Sequence, residues 1–181
     1  PSVTPGAAIH DFFRDHENYF DQLEKVAERN RSRIGGAADD LYASLKRHLR
    51  VEFGSSAKLY PINEMADTRR IFDRASSEVR LSEALDHPNR VFQLAHVLGL
   101  LTCSDIVDEL VEDSGLQDDD GRARLAVELM NYFAGALLLP YEEVYEMAES
   151  TRYDIDRLAS AFSVSFEQVC HRLTTLQRDG S

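Results

Sequence analysis

Tryptophan is absent, cysteine occurs only twice, and positive charge is scarce. The missing tryptophan excludes nothing. The two cysteines, Cys103 and Cys170, stand far apart with no C-x-x-C, so no zinc ribbon or dithiol redox site is expected. Two reduced thiols in an intracellular protein are the expectation instead. No apolar run reaches the roughly 18 residues that a membrane span requires. The longest, "FAGALLLP", stops on a proline, and no basic-then-apolar leader is present. A cytoplasmic protein with no membrane contact is expected. The first residue is Pro1, so we expect a piece of a longer chain.

Lysine and arginine number 20 against 32 aspartates and glutamates, a net charge of −12. Free duplex DNA would be repelled by such a surface. The acid is concentrated in "SDIVDELVEDSGLQDDDG" (104–121), which has no basic residue. That run fits a solvated helical face. The basic stretches "KRHLR" (46–50) and "RRIFDR" (69–74) are more informative, because basic groups inside an acidic protein call for a specific anionic partner.

What is present is mostly helical pattern. Ile9, Phe12, Phe13, Tyr19, Phe20, Leu23, Val26 and Ala27 form one stripe at helical spacing, which predicts a single helix from Ile9 to about Gly35. Leu41, Leu45 and Leu49 predict a second, from Ala38 to Phe53. The texture then changes. "AKLYPI" and "TRRIFDRASSEVRLS" alternate weakly and read as two or three strands, the last two a hairpin about "RASS". Pro61 suits an edge or a strand end. Asp86 or Asn89 starts the next helix, a short acidic helix runs to Gly115, and "DDDG" (118–121) is a loop or cap before the apolar helix that Pro140 stops. A short helix follows in "YEEVYEMAEST". The last segment reads as two helices about "FSVS", with Ser165 and Gln168 as a capping box.

"FQLAHVLGLL" (92–101) carries a histidine in the frame of the zinc-peptidase helix H-E-x-x-H, but the chemistry is gone. Val97 stands where the general base belongs, and Leu100 where the second metal-binding histidine belongs. His96 alone holds neither metal nor proton traffic of that kind. It is either a packed core histidine bonded to a backbone oxygen or a ligand contact in a former active-site cleft.

Three co-linear segments carry a family resemblance. "FQLAHVLGLL" resembles the metal-binding helix of ImmA/IrrE-type peptidase domains in degenerate form. "ELMNYFAGALLLP" (128–140) resembles that family's second signature, with Asn131, Phe133, Ala134, Leu137, Leu138 and Pro140 in matching places and Leu129 where a glutamate ligand is expected. "LASAFSVSFEQVCHRLTTLQR" (158–178) is similar to the helical pair that follows. Within that family, this C-terminal half and "HDFFRDHENYFDQLEKVAE" near the start resemble the short-chain fatty acyl transcriptional regulators. The resemblance implies an α+β, mostly helical, zincin-like fold with a small antiparallel sheet and a C-terminal helical pair. It implies one domain over 1–181, with N-terminal helices at 5–54, a peptidase-like core at 55–150 and the helical pair at 151–178.

It also implies an effector domain that senses a short-chain acyl-CoA, such as propionyl-CoA or acetyl-CoA, and forms a homodimer. DNA would be bound through an N-terminal helix-turn-helix domain outside this chain. No catalytic cofactor and no enzymatic activity are expected. Some such regulators carry an iron–sulfur segment further on, but two distant cysteines cannot supply four thiolates.

An acyl-CoA binder needs cations for phosphate, a flat surface for adenine and a dry pocket for the acyl group. Lys58, Arg69, Arg70, Arg74 and Arg80 lie in the strand region. Phe12, His16, Tyr19 and Phe20 lie on the first helix. Phe92, His96, Asn131, Tyr132 and Gly135 are expected in the old peptidase cleft, because the fold brings those two helices together. Each has a plainer alternative as core or surface. The terminal helical pair has the spacing of a DNA reader, but its second helix opens Ser165-Phe166-Glu167, which suits phosphate poorly. Packing or a dimer surface is expected there.

Overall fold

The computed structural model describes residues 4–36 and 40–176. The expected helix start at Ala38 and the end of the terminal segment at Arg178 lie outside them.

The chain opens with α1 (Pro5–Asp15), where the Thr4 hydroxyl accepts the backbone N–H of Ala7. The expected single N-terminal helix is in fact two. Glu17 and Asn18 both take left-handed backbone angles, φ 55, and α2 runs separately over Asp21–Ile34. The apolar stripe continues through the break, so periodicity alone does not reveal it. The start of α2 is satisfied from afar: the backbone N–H of Phe20 donates to the Tyr132 hydroxyl at 3.1 Å. Next comes α3 (Leu41–Phe53), which ends on Gly54 in the left-handed region, φ 65, where glycine carries no Cβ penalty.

Three short strands follow: β1 (Ser56–Tyr60), β2 (Arg70–Asp73) and β3 (Glu78–Ser82). The hairpin forms about Arg74–Ser77 as expected, and the Asp73 carboxylate accepts the N–H groups of Ala75 and Ser76. The sheet is mixed rather than antiparallel. β3 is central, pairing antiparallel with β2 and parallel with β1. The segment between β1 and β2 carries the chain past the place that β3 later fills. Pro61 follows directly on β1, an edge strand.

The remaining helices are α4 (His87–Thr102), α5 (Ser104–Asp113), α6 (Asp119–Leu138), α7 (Tyr141–Ser150), α8 (Ile155–Phe162) and α9 (Phe166–Leu173). Aspartates cap three of them: Asp86, Asp118 and Asp154 each accept a backbone N–H of the first turn. Ser165 and Gln168 form the expected reciprocal capping box. α6 is the central post. It packs against α4 on one side and α2 on another, with α1, α5 and α9 around it. Phe133, Leu125, Leu129 and Leu137 of α6 are fully buried. Gly99 of α4 permits the close α4–α6 approach, because a Cβ there would meet Phe133 Cδ1 at 2.7 Å.

Candidate functional site

The α4–α6 contact leaves a cavity of about 200 Å³ against α9, lined by Phe92, Asn131, Tyr132, Gly135, Gln168 and Arg172 among others. Phe92 and His96 are one turn apart on α4, and Asn131 and Gly135 one turn apart on α6, so each pair shares a face. A Cβ built on Gly135 meets nothing within 4 Å. Glu128 and His171 line both this cavity and a groove of about 650 Å³ between α1, α6 and α9, where Ile9, Phe13 and Val127 add apolar surface.

His96 is 6% exposed and its Nδ1 lies 3.1 Å from Asn131 Oδ1. It is a packed histidine, but its partner is a side-chain oxygen on the facing helix, not the backbone. Burial pushes its pKa down to about 4, the positive charge of Arg70 pushes the same way, and the Asn131 bond opposes both. The ring is therefore neutral, with Nδ1–H donating to the amide oxygen. That leaves the Nδ2 hydrogens of Asn131, which lines the cavity, free to donate.

The sheet arginines divide by register. Val79 and Leu81 of β3 are fully buried and define the inner face. Arg70 is paired with Leu81 and shares that face. Its Nη1 is buried without a hydrogen-bond partner, and desolvation lowers its pKa. Lys58 and Arg80 lie on the outer face. Both are engaged there by Glu78, at 3.7 Å and 2.8 Å, and Arg80 also lies over the Tyr60 ring. Arg69 and Arg74 are exposed. Of the predicted phosphate-binding residues, Arg70 alone is directed inward; Lys58 and Arg80 lie on the far side of the sheet, Arg69 is exposed, and Arg74 is exposed over the Phe72 ring.

The predicted aromatic residues of the first helix pack largely on one another. Phe12, His16 and Phe20 stack at 4.4–5.9 Å between centroids, and Phe20 meets the Tyr132 ring edge-on at 5.1 Å. Tyr19 packs against Tyr141 and lines a third groove of about 1200 Å³ between α2, α7 and α8.

Sequence reasoning missed the most buried charges of the site. Arg172 of α9 grips Glu24 of α2 through both guanidinium branches, at 2.6 and 2.8 Å, while its Nε donates to the Leu139 carbonyl at 2.8 Å. The Tyr132 hydroxyl donates to the same carboxylate, and burial, reinforced by the negative charge of Glu24, pushes its pKa up. Both ionic residues stand on apolar stripes, Glu24 beside Leu23 and Ala27, Arg172 beside Val169 and Leu176. A charge at a core position was the available signal. This clamp also fixes the terminal helices as a packed part of the domain.

A zincin fold implies a zinc ion, and these residues do not fit one. Val97 and Leu129 are fully buried aliphatics and Leu100 offers no donor, so His96 stands without a second ligand or a base. Among the described residues, no group of three His, Cys, Asp or Glu side chains is placed to hold a metal.

Residues 52–174 match the family described as the IrrE N-terminal-like domain. The chain belongs to that family. Its relatives include the HTH-type transcriptional regulator PrpR of Mycobacterium tuberculosis, 38% identical over 96% of this chain and 36% of that one. The Propionyl-CoA carboxylase regulator of Cereibacter sphaeroides is 35% identical over 98% and 37%. The HTH-type transcriptional regulator RamB of Mycobacterium tuberculosis is 33% identical over 98% and 37%. A solved structure of a Mycobacterium tuberculosis transcriptional regulator superposes with a TM-score of 0.91 at 36% identity, covering 98% of this chain and 54% of that one. The chain thus spans little more than a third of these curated relatives. Within this IrrE-type domain, the helices that carry the peptidase signatures are α4 and α6; of their metal-binding positions His96 remains, while Leu100 and Leu129 are aliphatic.

Proposed function

We propose that this IrrE-type domain is the effector-binding and dimerising part of a bacterial transcriptional regulator. The effector is a short-chain acyl-CoA, such as propionyl-CoA or acetyl-CoA. The single domain spans 1–181 and has no catalytic activity of its own. It acts in the cytoplasm and reaches DNA through a helix-turn-helix domain outside this chain. The names of the relatives support the regulator role, and one of them regulates a propionyl-CoA carboxylase.

One observation carries the reading: beside Gly135, α6 and α9 with Phe92 of α4 leave an open cavity, next to a helix pair that keeps His96 but has aliphatic residues at the other metal-ligand positions. A cavity of about 200 Å³ is smaller than the roughly 300–1,000 Å³ that takes a drug-sized ligand. It suits the acyl end alone. The adjoining groove of about 650 Å³, with Arg124, His10 and His171 on its walls, suits the longer polar arm. Ligand bound between α4, α6 and α9 would bias the arrangement of those helices, and so the dimer and its operator affinity.

Native mass spectrometry of the purified chain tests this. We expect an adduct near the mass of an acyl-CoA, and a melting temperature raised by several degrees at saturating propionyl-CoA. No adduct, and no shift with acetyl-, propionyl- or butyryl-CoA at millimolar concentration, would leave a ligand-free interaction module.

A further inference from the structure

Two carboxamides line the cavity against α9, Asn131 from α6 and Gln168 from α9 itself. In each the oxygen is already taken. Asn131 Oδ1 lies 3.1 Å from Nδ1 of the neutral His96 ring, which donates to it. Gln168 Oε1 accepts the backbone N–H of Ser165 at 3.0 Å, the return half of the capping box. The nitrogen of each is the spare end: among the described residues, neither Asn131 Nδ2 nor Gln168 Nε2 has a hydrogen-bond partner. Neither is sealed in protein, because the one buried side-chain nitrogen without a partner lies elsewhere, on Arg70. Both therefore reach open space, and this cavity is the space that both side chains line. The charges of its wall do not favour an anion. Glu128 and Glu167 stand there beside His171, and the guanidinium of Arg172 is matched by both oxygens of Glu24.

We infer that Asn131 Nδ2 and Gln168 Nε2 form a paired donor site for an uncharged carbonyl oxygen, so that the cavity reads the thioester group of the effector and not only its alkyl tail. This rests on the acyl-CoA reading above and deepens it. A carbonyl oxygen has two lone pairs and takes two N–H donors. The cavity holds about 200 Å³, so donors on two of its walls can meet on one small group. Phe92 and the Tyr132 ring are left to cover the short alkyl tail. Free CoA ends in a thiol, a weak acceptor, and leaves both donors unmatched. A thioester ending in a carboxylate would bring its charge against Glu128 and Glu167. The site thus separates the acylated carrier from the unacylated one. One donor sits on α6 and the other on α9, so the carbonyl bridges the two helices.

Titration calorimetry of the whole chain with propionyl-CoA and with S-propyl-CoA, the thioether in which a methylene replaces the carbonyl, tests the inference. The wild type, Gln168→Glu and Asn131→Asp are compared. Both substitutions keep the oxygen that Ser165 or His96 holds and remove the donor. Two neutral hydrogen bonds of ordinary strength predict that the wild type binds propionyl-CoA about tenfold tighter than the thioether. The ratio should fall toward one in either variant. An added carboxylate repels the phosphates of both ligands alike, so the ratio isolates the carbonyl. Equal affinities in the wild type overturn the carbonyl site and leave the sensor standing. A preference unchanged in both variants overturns the assignment to the two amides, and one lost in a single variant overturns their pairing. Absence of binding by both ligands and by free CoA overturns both readings. Should Asn131→Asp fail to fold, the wild-type ratio and Gln168→Glu, whose glutamate still suits the capping box, decide.

Discussion

Glu24 and Arg172, 148 residues apart, form a two-pronged buried ion pair that ties α2 to α9. Burial of two charges gains little net stability over apolar packing, but removing one partner strands the other. Glu24→Gln or Arg172→Met should therefore destabilise the chain by about 3–5 kcal/mol in urea unfolding. The Glu24→Leu, Arg172→Met double variant should recover most of that. Single and double losses that simply add would show that the two residues do not act as a pair.

His96 makes stability depend on pH. Its folded pKa of about 4 lies below the roughly 6.5 of an unfolded histidine, so the unfolded chain binds the extra proton between those values. The stabilisation is complete above pH 6.5 and falls as pH drops toward 4, by up to about 3 kcal/mol. His96→Gln can keep the bond to Asn131 but cannot titrate. Urea unfolding at pH 7.5, 6 and 5 should show the wild type losing stability faster than this variant. Parallel curves would mean that His96 takes up its proton in the fold as easily as in solution.

Local chemistry was legible in the sequence, and long-range pairing was not. The Asp86, Asp118 and Ser165 caps, the Gly54 stop and the hairpin at Arg74–Ser77 each depend on residues a few positions apart. The break at Glu17–Asn18 escaped because α1 and α2 bury one continuous stripe. The parallel β1–β3 pairing escaped because alternation is the same in either direction. At the site, the family resemblance brought α4 and α6 together; of the five residues expected in their cleft, Phe92, Asn131, Tyr132 and Gly135 line one cavity, and His96 is not part of its lining. The split between Arg70 and Arg80 was readable in principle: with Val79 and Leu81 inward, a period of two sends Arg80 outward. Which side β2 presented depended on a register that only the fold supplies.

Zinc should be irrelevant to this chain. Tight tetrahedral binding needs four donors, and His96 lacks a companion at Val97, Leu100 or Leu129. Protein purified from zinc-supplemented medium should hold far less than one zinc per chain by elemental analysis, and EDTA should leave its melting temperature unchanged. Stoichiometric zinc lost together with a drop in melting temperature would show a metal site and overturn this expectation.

Two glycines on facing helices should answer oppositely to alanine. At Gly99 the added Cβ would press on Phe133 at 2.7 Å and on the Met130 sulfur at 3.0 Å, and Phe133 is fully buried with nowhere to retreat. Overpacking of that kind costs about 1–3 kcal/mol. At Gly135 the Cβ enters open space, so the helix gains up to about 1 kcal/mol from the better residue. Urea unfolding should show Gly99→Ala weaker and Gly135→Ala equal to or stronger than the wild type. Because Gly135 lines the cavity, the same stabilising change should weaken propionyl-CoA binding, and Gly135→Leu should weaken it further. A Gly135→Ala variant that loses stability would mean the cleft closes in solution, and the acyl site with it.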